Sequence, residues 1–206
     1  MKKIYLLKTL FTLTLFTLIL NVNAQSETKE FANYSVGASI SPFGGSLGFG
    51  YNLTPKTTFQ AAIGGFNGSA PISPKYDGND YYVESSSSWV GMLINHRPFE
   101  GSDWFRLGTG FGVGKIHNEL TNSDSPSDIY HANYGGNIVA YVGVGVGGRP
   151  VKGLQIGFDL GVLSTGGPSV FADRENSSVN NNVLDEIEED FGSLLPNVQL
   201  NISWGF

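Results

Sequence analysis

The last ten residues of the chain restrict the possible folds more than any other segment. Residues 197–206 alternate between polar and apolar side chains without interruption and end on an aromatic ring. A period of two places all the apolar side chains on one face of a β-strand. These side chains are Val198, Leu200, Ile202, Trp204 and Phe206. A strand with one apolar and one polar face fits a transmembrane barrel, in which one face meets lipid and the other a polar lumen.

The first residues of the chain predict export. Lys2, Lys3 and Lys8 precede an apolar run from Thr9 to Leu20, and the segment closes on small and polar residues up to Ala24. This pattern is typical of a secretory signal peptide, and we expect cleavage after Ala24. The alternative is a membrane anchor, but the apolar run is shorter than the ~20 residues that a spanning helix needs. We therefore divide the chain into a signal peptide (1–24), a lead-in (25–32) and a barrel domain (33–206).

Composition excludes several classes of function. The chain has no cysteine, so neither disulfides, thiolate metal sites nor a cysteine nucleophile can form. The chain has a formal net charge of −6, so it lacks the excess of basic residues that is typical of a nucleic-acid-binding protein. We therefore predict no nucleic-acid partner.

Eight segments of strand character follow the lead-in, separated by brief and long connections in near alternation. An even number of strands, each long enough to cross a bilayer, predicts an all-β, eight-stranded antiparallel up-and-down transmembrane β-barrel. Three short turns contain proline and basic residues, whereas the long connections at 67–80, 117–133 and 164–195 are mainly acidic and are expected to be external loops. The predicted strands span residues 33–41, 46–53, 57–66, 85–95, 104–116, 134–147, 153–163 and 197–206.

Glycine alternates with apolar residues in several of these strands, notably at 108–114 and 143–147. Because an eight-stranded barrel is only wide enough inside for its own side chains, inward glycine would relieve crowding. Arg106 and Asp159 are the two charged residues at predicted lumen positions in the clearest strands. A buried charge needs a partner, so we expect these two to pair, directly or through Gln155, Gln199 or Asn137.

Two further patterns concern the edges of the barrel. Apolar residues at helical spacing predict a short amphipathic helix over about 183–191 in the last external loop, with acids that face water or bridge divalent cations to lipopolysaccharide. Aromatic residues near predicted strand ends indicate girdles at the membrane boundaries. These are Tyr34, Tyr51, Trp89, Trp104, Tyr134, Trp204 and Phe206. For the fourth strand the pattern leaves open whether Val90, Met92 and Ile94 or Trp89 and Leu93 face lipid.

The sequence gives no strong indication of catalysis. A triad of His117 or His131 with a loop serine and Asp124 or Asp128 is conceivable, but loops rich in serine and aspartate produce such combinations by chance. The acidic loop segments lack the spacing of a calcium loop. We predict no enzymatic activity, no catalytic residues, no cofactor and no metal site.

The signal peptide, the paired glycine-rich strands and the alternating final strand together resemble the small outer-membrane β-barrel proteins of Gram-negative bacteria. The resemblance implies a monomer in the outer membrane, in contact with lipid and lipopolysaccharide. It also implies that the barrel-assembly machinery recognises the final strand, through Leu200, Ile202, Trp204 and Phe206.

Three functions remain open at this level. The first is a structural or surface-interaction barrel with a lumen filled by side chains. The second is a narrow channel for small or hydrophobic solutes. The third is a secreted soluble barrel that binds an apolar ligand, which would require Val144, Leu160 and Ile202 to point inward.

Overall fold

The computed structural model describes residues 30–70, 73–101, 103–136, 138–173 and 179–206. The predicted signal peptide lies outside the described residues. The described part of the chain holds eleven β-strands and one helix. They are β1 (Tyr34–Ser41), β2 (Gly44–Asn52), β3 (Thr57–Ser69), β4 (Lys75–Tyr76), β5 (Asn79–His96), β6 (Phe105–Asn122), β7 (Ile129–Tyr134), β8 (Ile138–Gly147), β9 (Gly153–Ser164), β10 (Ser169–Ala172), α1 (Asn181–Phe191) and β11 (Leu194–Gly205).

Eight of the strands form a closed antiparallel ring in the order β1, β2, β3, β5, β6, β8, β9 and β11. The ring closes because β11 pairs with β9 on one side and with β1 on the other. Two main-chain hydrogen bonds between Tyr34 and Phe206 complete this seam. Closure leaves no unpaired edge in the ring, as a sheet in lipid requires. The predicted eight-stranded barrel is confirmed.

The short turns and both ends of the described chain lie at one end of the ring, called here the turn end. The short turns join β2 to β3, β5 to β6 and β8 to β9. The opposite end, the loop end, carries β4, β7, β10 and α1 in its connections. One connection there, between β1 and β2, is only two residues long. Within the described residues, no helix is both long enough and apolar enough to cross a lipid bilayer.

Large apolar side chains cover the outside of the ring, while glycine and polar residues line its inside. Val144, Leu160 and Ile202 are each between two-fifths and three-fifths exposed on the outer surface. In β5 the outward residues are Val90, Met92 and Ile94, which settles the face that the sequence left open. A water-soluble protein would hide such a continuous apolar surface. The soluble barrel with an apolar interior is therefore wrong.

The predicted aromatic girdle is correct in part. Tyr34, Tyr51, Trp104, Trp204 and Phe206 are exposed on the outer surface near strand ends. Tyr134 is instead buried and donates a hydrogen bond to the carbonyl oxygen of Gly192 at 3.1 Å. Trp89 is half-buried and donates through Nε1 to the carbonyl oxygen of Phe43 at 3.2 Å. Both side chains lie on the inward face of their strands and line the interior cavity at the loop end, so they point away from the membrane boundary.

Ordered structure extends well beyond the barrel at the loop end, where the sequence predicted loops. β5 and β6 each run for 18 residues and remain paired as far as Tyr81 and Asn122. β7 continues the sheet beside the distal half of β6, and β10 pairs with β7. The predictions of loops at 67–80 and 117–133 are therefore wrong for most of their described residues, although 77–78 and 123–128 remain turns between strands. The side chains of these distal strands also alternate, but polar residues face outward while tyrosine, valine and leucine face inward. The distal strands therefore lack the apolar outer face by which a membrane strand is recognised in a sequence.

The predicted helix in the last external connection is present as α1. The Asn180 side chain caps its first turn by accepting a hydrogen bond from the backbone N–H of Asn182 at 3.0 Å. At its other end the backbone N–H of Gly192 bonds to the carbonyl oxygen of Glu188. Val183 and Ile187 are fully buried against a small core of the distal strands. We call β4, β7, β10, α1 and the distal halves of β5 and β6 the external extension.

Candidate functional site

The lumen contains an ion pair between the two charged residues that the sequence analysis placed there. The guanidinium of Arg106 donates through Nε to Asp159 Oδ1 at 2.9 Å and through Nη2 to Asp159 Oδ2 at 2.7 Å. Each side chain is only 14% exposed. Such a two-point contact is the strongest geometry for this pair. The structure thus brings Arg106 and Asp159 together inside the barrel wall.

The two partners reach each other across an intervening strand. Arg106 on β6 lies opposite Gly145 on β8, and Gly145 lies opposite Asp159 on β9. A Cβ atom on Gly145 would overlap the carboxylate of Asp159, and one on Gly157 would lie 2.6 Å from Arg106 Nη2. Only glycine leaves room for the pair to lie flat against the wall.

Amide side chains of the next strand, β11, extend this pair along the inner wall. Asn201 Nδ2 donates to Asp159 Oδ2 at 2.5 Å, and Gln199 Nε2 donates to Asn201 Oδ1 at 2.5 Å. Gln155 takes no part, because its amide donates to the carbonyl oxygen of Val151 instead. Asn137 lies outside the described residues. We call Arg106, Asp159, Asn201 and Gln199 the lumen network.

Two small cavities lie on either side of the lumen network. The cavity at the loop end measures about 120 Å³ and is mainly apolar, with Trp89, Leu93, Ile116 and Leu163 among its lining residues. The cavity at the turn end measures about 70 Å³ and is mainly polar. Residues that line this polar cavity include Ser39, Asn52, Asn95, Arg106 and Asn201. The lumen network thus lies between a mainly apolar and a mainly polar cavity, and Gln60 lines both of them.

A second arginine narrows the turn end of the lumen. Arg97 is 4% exposed and donates to the carbonyl oxygen of Asp103 at 3.1 Å and to that of Gly148 at 2.7 Å. It thereby ties the turn after β5 to the turn after β8. The segment before β1 also lies here, since the Ala32 N–H bonds to the carbonyl oxygen of Pro150. Sequence reasoning placed Arg97 in a short proline-containing turn and missed this role, because its acceptors are main-chain carbonyls that only the fold assembles.

The external extension has a core of its own, in which tyrosine is prominent. Tyr76, Tyr81 and Tyr130 pack edge to face or tilted, with ring centroids 5.5 and 6.0 Å apart. Burial raises the pKa of the Tyr81 phenol to about 12. Burial, together with the carboxylates of Asp190 and Glu186 on α1, also raises the pKa of the Tyr76 phenol. Both rings therefore stay neutral at physiological pH.

The residues assigned to the assembly signal lie in a row on the outer face of β11. Leu200, Ile202, Trp204 and Phe206 are all exposed on the lipid-facing surface. The aromatic ring of Phe206 lies 6.1 Å from that of Tyr34 on β1. This row is accessible from outside the barrel at the seam where the ring closes.

Comparison with known proteins gives matches at the level of structure only. No protein-family profile matches the sequence, and no curated protein matches it. CarO of Acinetobacter baumannii superposes with a TM-score of 0.66 at 15% identity, over 87% of this chain and 100% of that chain. CarO2 of the same species gives a TM-score of 0.64 at 13% identity over the same shares. A major outer membrane protein from Thermus thermophilus has a TM-score of 0.48 at 13% identity, over 84% and 98% of the two chains.

The two Acinetobacter structures are outer-membrane β-barrel proteins, and their likeness to this chain concerns the fold. The outer surface of the ring supplies an independent argument, because apolar side chains cover it on every strand. A closed sheet with a lipid-facing exterior and a polar, glycine-rich interior spans a membrane. The protein therefore has the fold of the small outer-membrane β-barrel proteins of Gram-negative bacteria and belongs in that membrane.

Proposed function

We propose that the protein is a closed outer-membrane barrel that supports a folded surface structure rather than a conducting pore. The observation that carries this proposal is the lumen network, in which the Arg106–Asp159 ion pair and two amides occupy the inner face of four neighbouring strands. Charges held in such a network resist displacement by a passing solute, since removing either partner leaves the other buried and unpaired. At the turn end, the buried side chain of Arg97 also narrows the lumen, where it lines the polar cavity.

The surface role follows from the external extension. Its tyrosine core and helix α1 form a packed unit at the loop end, where a barrel without surface function would need only short connections. We propose that this unit contacts lipopolysaccharide or other molecules at the cell surface, with Asp185, Glu188 and Glu189 of α1 exposed to solvent. The barrel wall would contact membrane lipid, the barrel-assembly machinery would recognise β11, and the chain would act as a monomer without catalytic activity.

Conductance in planar lipid bilayers tests the closed state. We expect the refolded wild-type protein to give no discrete channel steps. The variant R106A/D159A should give measurable steps, because removal of both side chains joins the two cavities. The matched control is D185N/E188Q, which changes two exposed acids outside the lumen and should remain closed. Regular openings of the wild type would contradict the proposal.

Thermal stability tests the structural part of the lumen network separately. Asp159→Leu leaves Arg106 buried without its partner, which costs about 3–5 kcal/mol in comparable sites. The temperature at which the folded band disappears from unboiled gels should fall. An Asp159→Leu barrel as stable as the wild type would exclude the ion pair as a stabilising plug.

A second candidate is a passage for small apolar molecules, favoured by the 120 Å³ cavity at the loop end. Apolar cavities of this order can hold one small hydrocarbon. Benzene titration followed by NMR would detect such binding, and Leu163→Trp should abolish it by filling the space. Transport additionally requires release at the turn end, which solute flux into proteoliposomes would measure.

A further inference from the structure

Three side chains that can bind metal meet on the outer face of the external extension. Glu119 on β6 lies directly opposite His131 on β7, and His117 precedes Glu119 by two residues on the same face. One ligand atom from each of the three lies within 4.8 Å of the other two. These residues lie beyond the apolar membrane surface of β6, whose last large residue is Val113. The cluster therefore lies at the loop end beyond the membrane surface, with His117 exposed and His131 largely buried.

The two imidazoles are already ordered relative to each other. Their rings stack with centroids 5.4 Å apart and an interplanar angle of 27°. Phe171 on β10 covers His131 on its other side at a centroid distance of 5.0 Å. Phe171 is also the cross-strand neighbour of His131. Three paired strands thus hold these side chains, so that little side-chain freedom would be lost when a ligand binds.

The hydrogen bonding of His131 is incomplete in a way that points to a ligand. Its side chain is 12% exposed, and Nε2 lies 3.6 Å from Asp173 Oδ2. Among the described residues, none hydrogen-bonds to the buried Nδ1 of His131. Buried polar atoms are nearly always paired, so an unpaired ring nitrogen requires an explanation. A carboxylate that orients one imidazole nitrogen while the other binds metal is the common arrangement around metal-binding histidine.

We propose that His117, Glu119 and His131 bind one divalent transition-metal ion. Two imidazoles and a carboxylate suit Zn(II) and its neighbours, whereas Ca(II) and Mg(II) prefer oxygen ligands alone. Two ligands on a tetrahedral zinc ion lie about 3.4 Å apart, since each bond is about 2.1 Å. Side-chain rotations that turn the two stacked imidazoles toward a common point would bring the three ligand atoms to this spacing. Three protein ligands leave one position for water or a group from another molecule.

This proposal differs from the prediction of no metal site made from the sequence. His117 and His131 are fourteen residues apart, and both fall in a segment predicted to be a loop. Only the pairing of β6 with β7 brings them together. The proposal is independent of whether the barrel conducts, because the cluster lies outside the lumen.

Zinc titration of the untagged, refolded, metal-free protein in detergent tests the site. Isothermal titration calorimetry with zinc chloride should show one ion per chain. His117→Ala and Glu119→Gln should each weaken binding by at least tenfold. His117 is exposed and Glu119 is half-buried, so both variants should keep the heat-modifiable migration of a folded barrel. Replacement of Zn(II) by Co(II) should give a visible absorption spectrum that either substitution alters.

The matched control is His96→Ala, which removes a histidine at the turn end that hydrogen-bonds to Thr57. Zinc affinity should be unchanged in this variant. The proposal is overturned by any of three results in folded protein. These are no saturable binding by the wild type, retention of wild-type affinity after either ligand substitution, or equal loss of affinity in His96→Ala.

Discussion

Gly145 illustrates how a single missing side chain determines the interior of this barrel. It lies between Arg106 and Asp159 in the wall, and both charged groups occupy the space where its Cβ would lie. Gly143 and Gly161 leave room in the same way for the ring of Tyr141. Glycine normally weakens a strand, but here its lack of a side chain allows long polar groups to lie across the sheet.

Gly145→Ala should destabilise the barrel, because the added methyl group forces the Asp159 carboxylate away from Arg106. We expect a loss of about 2 kcal/mol in the free energy of unfolding, from overpacking and a weakened ion pair. Urea unfolding in detergent measures this change in the free energy of unfolding. Gly45→Ala is the matched control, since no heavy atom lies within 4 Å of a Cβ at that strand position. Equal stability of the two variants would contradict this account of Gly145.

At the scale of elements, helix α1 is attached to the barrel through a few buried side chains. Val183 and Ile187 face the core of the external extension, while the acids between them face solvent. Glu186 also accepts a hydrogen bond from the backbone N–H of Asp77 at 2.9 Å, which links α1 to the turn after β4. The helix can therefore detach without opening the ring of eight strands.

Ile187→Ala should loosen α1 and leave the barrel intact. Removing a fully buried isoleucine side chain to Cβ costs about 2–5 kcal/mol. We expect faster proteolysis between β10 and β11, with unchanged heat-modifiable migration. The control Glu188→Ala, which alters an exposed neighbour, should be cleaved by the protease at the wild-type rate. Loss of the folded gel band in Ile187→Ala would show that the extension and the barrel unfold together.

At the scale of the whole molecule, the fold depends on one seam between the first and last strands of the ring. β1 and β11 pair from Ser35 with Gly205 to Ile40 with Leu200, and Phe206 adds two backbone hydrogen bonds to Tyr34. Loop closure over nearly the whole chain makes this pairing the most expensive in conformational entropy. We therefore expect a signal that promotes closure of the barrel to lie on β11, the strand that completes the ring.

Deletion of Phe206 should impair membrane insertion, because it removes both the final aromatic ring and two seam hydrogen bonds. We expect a reduced amount of heat-modifiable protein in the outer-membrane fraction. Any molecules that do assemble should bind zinc with wild-type affinity, since the proposed site lies at the other end of the barrel. Phe206→Tyr keeps an aromatic ring and should assemble normally. Wild-type levels of the deletion variant would exclude Phe206 as an assembly determinant.

Much of the fold was predictable from alternation alone. Every strand of the ring was recognised, with errors of a few residues except at β5, β6 and β8, because apolar residues on one face and glycine on the other give a clear period of two. The helix was recognised from Val183, Leu184, Ile187 and Phe191. The external extension was not recognised, since Tyr81, Val83 and Leu120 point into a small core that the sequence does not reveal. Arg106 and Asp159 were predicted as partners because a charge in a narrow lumen has few ways to be satisfied.

The sequence by itself determined that this chain forms a closed barrel of alternating strands, because a period of two over strands of membrane length has few other solutions, whereas the structure showed that the apolar face lies on the outside. The tertiary structure alone decided which groups meet. It placed Gly145 between the two charges, brought Asn201 to Asp159, and joined His117 with His131 across two strands. The physical reason is that alternation fixes the face of each side chain, whereas contacts across strands depend on register and closure, which involve residues far apart in the chain.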